Sequence, residues 1–231
     1  MNKEPNLFAL KWAGLLLMTG DHVNKYLFNG TIPALFELGR ACLPIFVFVL
    51  AYNLARQDAM PKGIHVRLSK RLILAGLIAT PPFIALGGLL NGWWPLNVMF
   101  TLLTLVITIY CIERGTKASF VIGALTFIAG GAMVEFWWPA IVLGLSIWAF
   151  LRNHSFWPVA IGFAALLSLS IINDNHWALL SVVFIAAAYL CPNRDSWPRL
   201  TWLCYAYYPV HLAIIWCVRI PMRKAGYFFL T

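Results

Sequence analysis

Apolar runs close to the length of a membrane-spanning helix recur from one end of the chain to the other, broken by short polar connectors. A bilayer's hydrocarbon core takes about 20 helical residues to cross, at ~1.5 Å each. The pattern predicts about nine spans, at roughly 7–27, 33–56, 71–90, 97–113, 118–134, 138–152, 156–172, 177–191 and 201–220. Several are short, so the pair 118–152, hinged at Glu135-Phe136-Trp137-Trp138-Pro139, reads as a candidate tilted or re-entrant hairpin. The expected fold class is all-α, a polytopic transmembrane helical bundle. It forms one domain over 1–231, with no room between the runs for an independent soluble unit.

Composition agrees. The chain is 61% hydrophobic and 11% charged, with mean hydropathy +0.79, whereas a soluble domain carries about 25% charged residues. The five cysteines, Cys42, Cys111, Cys191, Cys204 and Cys217, form no CxxC pair and mostly lie inside apolar runs. They are expected to be buried small hydrophobes, not metal ligands or disulfides. The first run follows Glu4 as well as Lys3, is interrupted by Lys11 and has no small-x-small cleavage site, so it is expected to stay as an uncleaved helix.

A net charge of +9 would suit nucleic acid, but the basic residues sit between spans without interleaved stacking aromatics. Topology explains them better. One set of connectors holds Arg56, Lys62, Arg67, Lys70 and Arg71, then Arg114 and Lys117, then Arg152, then Arg194 and Arg199. The alternate set holds Asn29-Gly30-Thr31, Asn91-Gly92-Trp93-Trp94-Pro95, Glu135 with its tryptophans, and Asn173-Asp174-Asn175-His176, with Lys25 its one basic residue. By the positive-inside rule the N-terminus and the basic set face the cytoplasm. The tail, with Arg219, Arg223 and Lys224, conflicts with an odd number of spans.

Against this background the ionisable groups inside spans stand out, since an Asp at a helix centre costs about 2.5–3.5 kcal/mol to insert. Span one runs Leu15-Leu16-Leu17-Met18 straight into Asp21, His22, Asn24 and Lys25, which reads as a reactive or ligand-binding centre. Lys11 precedes His22 by three helical turns, so the two share a face about 16 Å apart. Lys11 either faces that centre or snorkels to the interface. Asp21, rotated about 100° from His22, is expected to pair with Lys25 or, across the bundle, with Arg40.

Span two carries Glu37 and Arg40, an i,i+3 pair able to neutralise itself, then Pro44, expected to kink the helix, then Asn53 and Arg56. The last span reads Tyr207-Tyr208-Pro209-Val210-His211, placing both tyrosines one turn from an imidazole that is either a packing hydrogen bond or a functional group. The partner that orients His22 is open, with Glu37 a candidate. His65, His154 and His176 are expected at the surface.

Three motifs together carry a resemblance: Leu17-Met18-x-x-Asp21-His22-x-Asn24, then Gly39-Arg40-x-x-x-Pro44-x-Phe46 with Asn53-Leu54-x-Arg56, then Tyr208-Pro209-x-His211-Leu212. In this order the set resembles the TraX family of conjugal pilin acetylation proteins, within a wider group of polytopic membrane acyltransferases that usually shows about ten spans. The resemblance implies a multi-pass protein of the bacterial inner membrane with no metal. It implies transfer of an acetyl group from acetyl-CoA, as co-substrate, to the N-terminal amine of pilin. It matches Asp21, His22, Arg40 and His211 to the family's polar positions.

Those residues suit the chemistry. A neutral imidazole near pH 7 can take the proton an acceptor loses, with His22 the expected base and His211 the other candidate. Arg40 can stabilise the oxyanion or bind substrate. Asn24, Glu37, Asn53, Tyr207 and Tyr208 are the candidate substrate contacts. Lys11, Arg56, Arg67, Lys70 and Arg71 are candidate contacts for the phosphates of acetyl-CoA. Three other readings stay open: O-acetylation of an envelope-glycan hydroxyl, a proton-coupled small-solute transporter, and a non-catalytic pilus-assembly partner. Transporters often show inverted repeats, and none is evident here.

Overall fold

The computed structural model of this protein describes residues 4–191 and 202–227. Arg194, Arg199 and position 201, the expected start of the last span, lie outside the described residues. Among those described, the chain is helical throughout, with two isolated bridge pairs and no strand.

The helices run in order α1 (Leu7–Leu27), α2 (Pro33–Gly39), α3 (Cys42–Ala55), α4 (Ile64–Ala85), α5 (Val98–Arg114), α6 (Lys117–Leu125) and α7 (Gly131–Met133). A π-helical turn, Thr126–Gly130, joins the last two. Then come α8 (Trp137–Asn153), α9 (Phe156–Asn173), α10 (Leu180–Leu190), which is entered through a 3₁₀ turn, and α11 (Leu203–Lys224). Among the described residues, four helical segments are long and apolar enough to cross a membrane: Pro33–Ala55, Ile64–Ala85, Phe156–Asn173 and Leu203–Lys224. Lys117–Met133 and Trp177–Leu190 are apolar but shorter. α1 has the length, yet carries Lys11, Asp21 and Lys25. The outer surface is greasy, with Leu77 59%, Val183 62% and Ile171 80% exposed. Water would not tolerate such a surface, and a bilayer covers it.

Local chemistry explains where the elements differ from the pattern. α1 begins where expected because Asn6 Oδ1 accepts from the Ala9 N–H. The second span is split at Arg40-Ala41, and Pro44 lies in the first turn of α3 instead of kinking a continuous helix. Proline lacks the N–H that would bond the Arg40 carbonyl, so a fresh helix start tolerates it best. α4 begins seven residues before the expected 71 and stops at Ala85, not 90. Its basic first turns are helical although they are not apolar, and Gly87, at φ +83°, turns the chain out of the helix.

α1 packs against α2, α3, α10 and α11, while α4 lies between α5 and α11, and α8 between α3 and α9. Leu15, Leu54, Leu72, Leu105, Ile141, Leu169 and Leu212 form the shared core. One end of the bundle, here the basic end, gathers the Arg56–Gly63 connector, the start of α4, the end of α5 and the end of α8. There Lys62 hydrogen-bonds Asp58 at 2.6 Å and holds its carboxyl below the usual range.

His65, expected at the surface, is 2% exposed. Its Nε2 lies 3.2 Å from Glu113, which also meets Arg152 at 3.4 Å and the Trp148 Nε1–H at 3.3 Å. The early start of α4 turns His65 into the bundle, where helix ends bring opposite charges together. The cysteines also divide: Cys42 and Cys111 are buried, but Cys191 and Cys217 are exposed on the outer surface. A thiol is small and apolar enough to lie against lipid as readily as in a core.

At the far end, the segment 90–97 runs alongside the α7–α8 junction. Leu96 N–H donates to Met133 O at 2.8 Å, Glu135 N–H to Leu96 O at 2.9 Å, and the Trp94 indole to Ala132 O at 2.8 Å. Arg219 donates to Leu86 O at 3.5 Å, so the basic tail of α11 lies at the far end.

α6 starts from a capping box in which the Thr116 hydroxyl accepts from Ser119 N–H and Ser119 returns a bond to the Thr116 N–H. Thr116→Ala is expected to destabilise the protein by about 1 kcal/mol. Thermal unfolding in detergent reads this as a small fall in midpoint, with ligand binding unchanged.

Candidate active site

A cavity of about 890 Å³ runs through the depth of the bundle. Its basic-end wall includes Lys11, Arg56, Lys62, Arg67 and Arg71, its middle is Leu15, Met18, Phe46, Leu50 and Leu72, and its far-end wall includes Asp21, His22, Lys25, Arg40, Glu135 and Asn173. One chamber therefore has a cationic end, an apolar waist and a polar far end.

The centre of the far end is a histidine pair. His22 Nδ1 and His211 Nε2 are 2.7 Å apart, with ring planes within 2° of each other, so the bond lies in both ring planes. His211 Nδ1 lies 2.9 Å from the Tyr207 carbonyl. A carbonyl only accepts, so Nδ1 of His211 carries the proton and its Nε2, in the neutral ring, is an acceptor. His22 Nδ1–H then donates to it, which leaves the Nε2 lone pair of His22 uncommitted among the described residues. Pro209, within α11, has no N–H to give the Tyr205 carbonyl, so one rung of the helix is missing beside the pair.

Packing holds the pair in place. The Tyr207 ring stacks on His211 at 5.3 Å, and its hydroxyl bonds Thr19 Oγ1 at 2.6 Å, tying α11 to α1. Tyr26, one turn after His22, and the buried Tyr208 close the other sides at 5.7 and 6.4 Å between ring centroids.

Asp21 faces the other way. Its Oδ2 accepts a short hydrogen bond from Arg40 Nη2, while Arg40 Nη1 reaches Asn173 Oδ1 at 3.4 Å and Nε donates to Phe36 O at 3.2 Å. The break after Gly39 is what allows this. It releases Arg40 from the regular register with Glu37, and among the described residues no ion pair joins those two. Of the two partners foreseen for Asp21, Arg40 is the one engaged.

Gly39 is required because a Cβ there would fall 2.5 Å from Asp21 Cβ and 2.9 Å from its Cγ. Gly39→Ala is expected to push Asp21 off Arg40 and to lower stability by about 1–3 kcal/mol. A thermal midpoint within a degree of the parent would contradict the close packing.

The remaining candidates separate. Asn53 lines the cavity toward the basic end, with Nδ2 bonded to Val49 O at 2.7 Å. Asn24 is 1% exposed and uses its amide on Ile32, donating to its carbonyl and accepting from its N–H, both at 2.9 Å. It holds the α1–α2 connector. Glu37 is half-buried on α2 and does not orient His22, whose Nδ1 is bonded to His211. Lys70 projects to a separate groove beside Tyr110 and Arg114, away from Arg67 and Arg71. Glu135, Asn173, Tyr26 and Thr19 also belong to the site, and the sequence pattern does not mark them. Glu135 and Asn173 lay in connectors, where an acid or amide is unremarkable.

The architecture defines a class: a helical membrane protein whose central cavity carries an oriented, hydrogen-bonded histidine pair at one end and a cluster of cations at the other. The sequence profile of the TraX protein family matches residues 6–219, and the chain belongs to that family. Membership suggests a role in conjugative pilin processing. No curated protein and no solved structure matches the chain.

Proposed function

We propose that this protein is an acetyltransferase of the bacterial inner membrane that moves an acetyl group from acetyl-CoA to the N-terminal amine of a pilin. The single observation that carries the reading is the Tyr207–His211–His22 relay, which leaves a bare imidazole nitrogen in a large cavity. In this reading the chain spans the membrane about nine times. Its N-terminus and basic end face the cytoplasm, as the charge of the connectors favours.

Acetyl-CoA enters from the basic end, with its phosphates on Lys11, Arg56, Arg67 and Arg71. Its thioester arm passes the apolar waist, a distance of about 16 Å from Lys11 to His22 along α1. The acceptor nitrogen attacks the carbonyl carbon, His22 Nε2 takes the proton, the C–S bond breaks and the thiolate leaves to be protonated. Imidazolium formed on His22 is stabilised by the hydrogen bond to His211, and the carbonyl of Tyr207 holds that ring in place. Arg40 stays on Asp21 and fixes the α1–α2 wall beside the reacting groups.

The test is intact-mass analysis of pilin from cells with and without the protein. A gain of about 42 Da on the pilin N-terminus, expected for an acetyl group replacing one amine proton in a nucleophilic transfer, supports the reading. An unmodified pilin beside an acetylated envelope glycan would move the acceptor to a hydroxyl. No acetylation of either, with proton flux in proteoliposomes, would replace the enzyme by a transporter.

A further inference from the structure

The polar groups at the far end are not all accounted for by the base and the Asp21–Arg40 pair. Glu135 also lines the cavity there. It sits in the short α7–α8 junction, and its backbone is fixed on both sides: the N–H donates to Leu96 O at 2.9 Å and the carbonyl accepts from Thr101 Oγ1 at 2.8 Å. The next two residues, Phe136 and Trp137, hold left-handed conformations at φ +62° and +47°. Non-glycine residues in that region cost of order 1 kcal/mol each and persist where the surroundings impose them. The result is a carboxylate on a rigid mount.

Its surroundings matter as much. Asp21 is neutralised by Arg40, whereas no cationic group of the described residues lies within ion-pair distance of the Glu135 carboxylate. Charged and titratable groups facing that region are Asp21, Lys25 and Tyr26 of α1, Arg40 between α2 and α3, Cys42 of α3, and Tyr208 and Arg219 of α11. Tyr26 and Tyr208 are the same rings that flank His22. The carboxylate accepts one hydrogen bond from the Val98 N–H and lines the same chamber as His22 with no ion-pair partner in contact, so it is matched by a ligand bearing a positive charge.

We propose that Glu135 is the binding site for the acceptor's cationic amine, holding it as ammonium in front of His22; this rests on the acetyltransferase reading above. The chemistry asks for such a group. An α-amine with pKa about 7.7–8.0 arrives largely protonated at neutral pH, and an ammonium has no lone pair with which to attack. Two protons must leave the nitrogen. The first passes to Glu135, giving the free amine. The second passes to His22 as the nitrogen–carbon bond forms and the carbon–sulfur bond breaks. One of the two ends on the departing thiolate and the other is released. A hydroxyl acceptor, already neutral, would need only one proton acceptor, so Glu135 selects amines.

The experiment is binding of a short pilin N-terminal peptide, with its α-amine free or pre-acetylated, to the full-length protein in detergent. The parent protein is expected to prefer the free amine by about tenfold or more, as a charge-assisted contact provides. In Glu135→Gln that preference should fall to within about twofold, and Glu135→Asp should restore part of it. A parent without preference, or a Glu135→Gln protein that keeps it at an unchanged thermal midpoint, overturns the proposal.

Transfer measured on the same samples gives a second readout. Glu135→Gln should lose acetylation at neutral pH and regain it above the pKa of the amine, where the nucleophile is already neutral. Loss that persists at high pH would reject the role in proton removal. A parent that prefers the amine but never transfers acetyl would sink the enzyme reading and leave the ammonium site standing.

Discussion

His22→Ala is expected to lower acetyl transfer to a pilin N-terminal peptide by about 10²- to 10⁴-fold at pH 7, the usual contribution of a positioned general base. The direction of the hydrogen bonds singles out His22. Tyr207 O fixes the proton of His211 on Nδ1, and this fixes the proton of His22 on Nδ1. Only His22 then offers a lone pair to the cavity. His211→Ala should cost less, about 10- to 100-fold, because His211 acts through His22. This ordering decides which histidine is the base. A purified His22→Ala protein that keeps its transfer rate within twofold would remove His22 from the mechanism, and an inverted order would give the role to His211.

The second large effect concerns stability. Arg40→Met is expected to destabilise the protein by about 3–5 kcal/mol, because it strands the Asp21 carboxylate in the bundle. Asp21 Oδ1 is already buried without a hydrogen-bond partner, so Arg40 is the group that makes the charge tolerable. Asp21→Asn with Arg40→Met should recover most of the loss, since both charges are then gone. Denaturant unfolding of the four proteins in detergent gives the coupling. If the double variant is no more stable than Arg40→Met alone, then Arg40 stabilises through Asn173 and Phe36 instead, which it touches by hydrogen bond and by stacking at 4.3 Å.

Much of the site was legible residue by residue. Asp21, His22, Arg40 and His211 stand out because an ionisable group in an apolar run is expensive and therefore has a purpose. The rotation between adjacent helical positions correctly sends Asp21 and His22 to different partners. The partners themselves were not legible. His22 and His211 are separated by most of the chain, and no local periodicity encodes that α1 and α11 lie side by side. Glu37 looked like a partner for Arg40 only on the assumption that span two is one continuous helix. His65 looked exposed because basic neighbours mark a connector, and the pattern does not reveal that the helix has already begun.

The sequence by itself determined that this is a helical membrane protein, which ionisable groups lie inside its apolar runs and which connectors are basic. Those properties follow from transfer energies, which each side chain brings with it wherever it lies. Only the tertiary structure decided that the two histidines bond to each other and that Arg40 serves Asp21. It also decided that Lys70 leaves the cavity and that Glu135 enters it. Hydrogen bonds and ion pairs depend on distances of a few tenths of an ångström between helices far apart in the chain, and the packing of the whole bundle sets those distances.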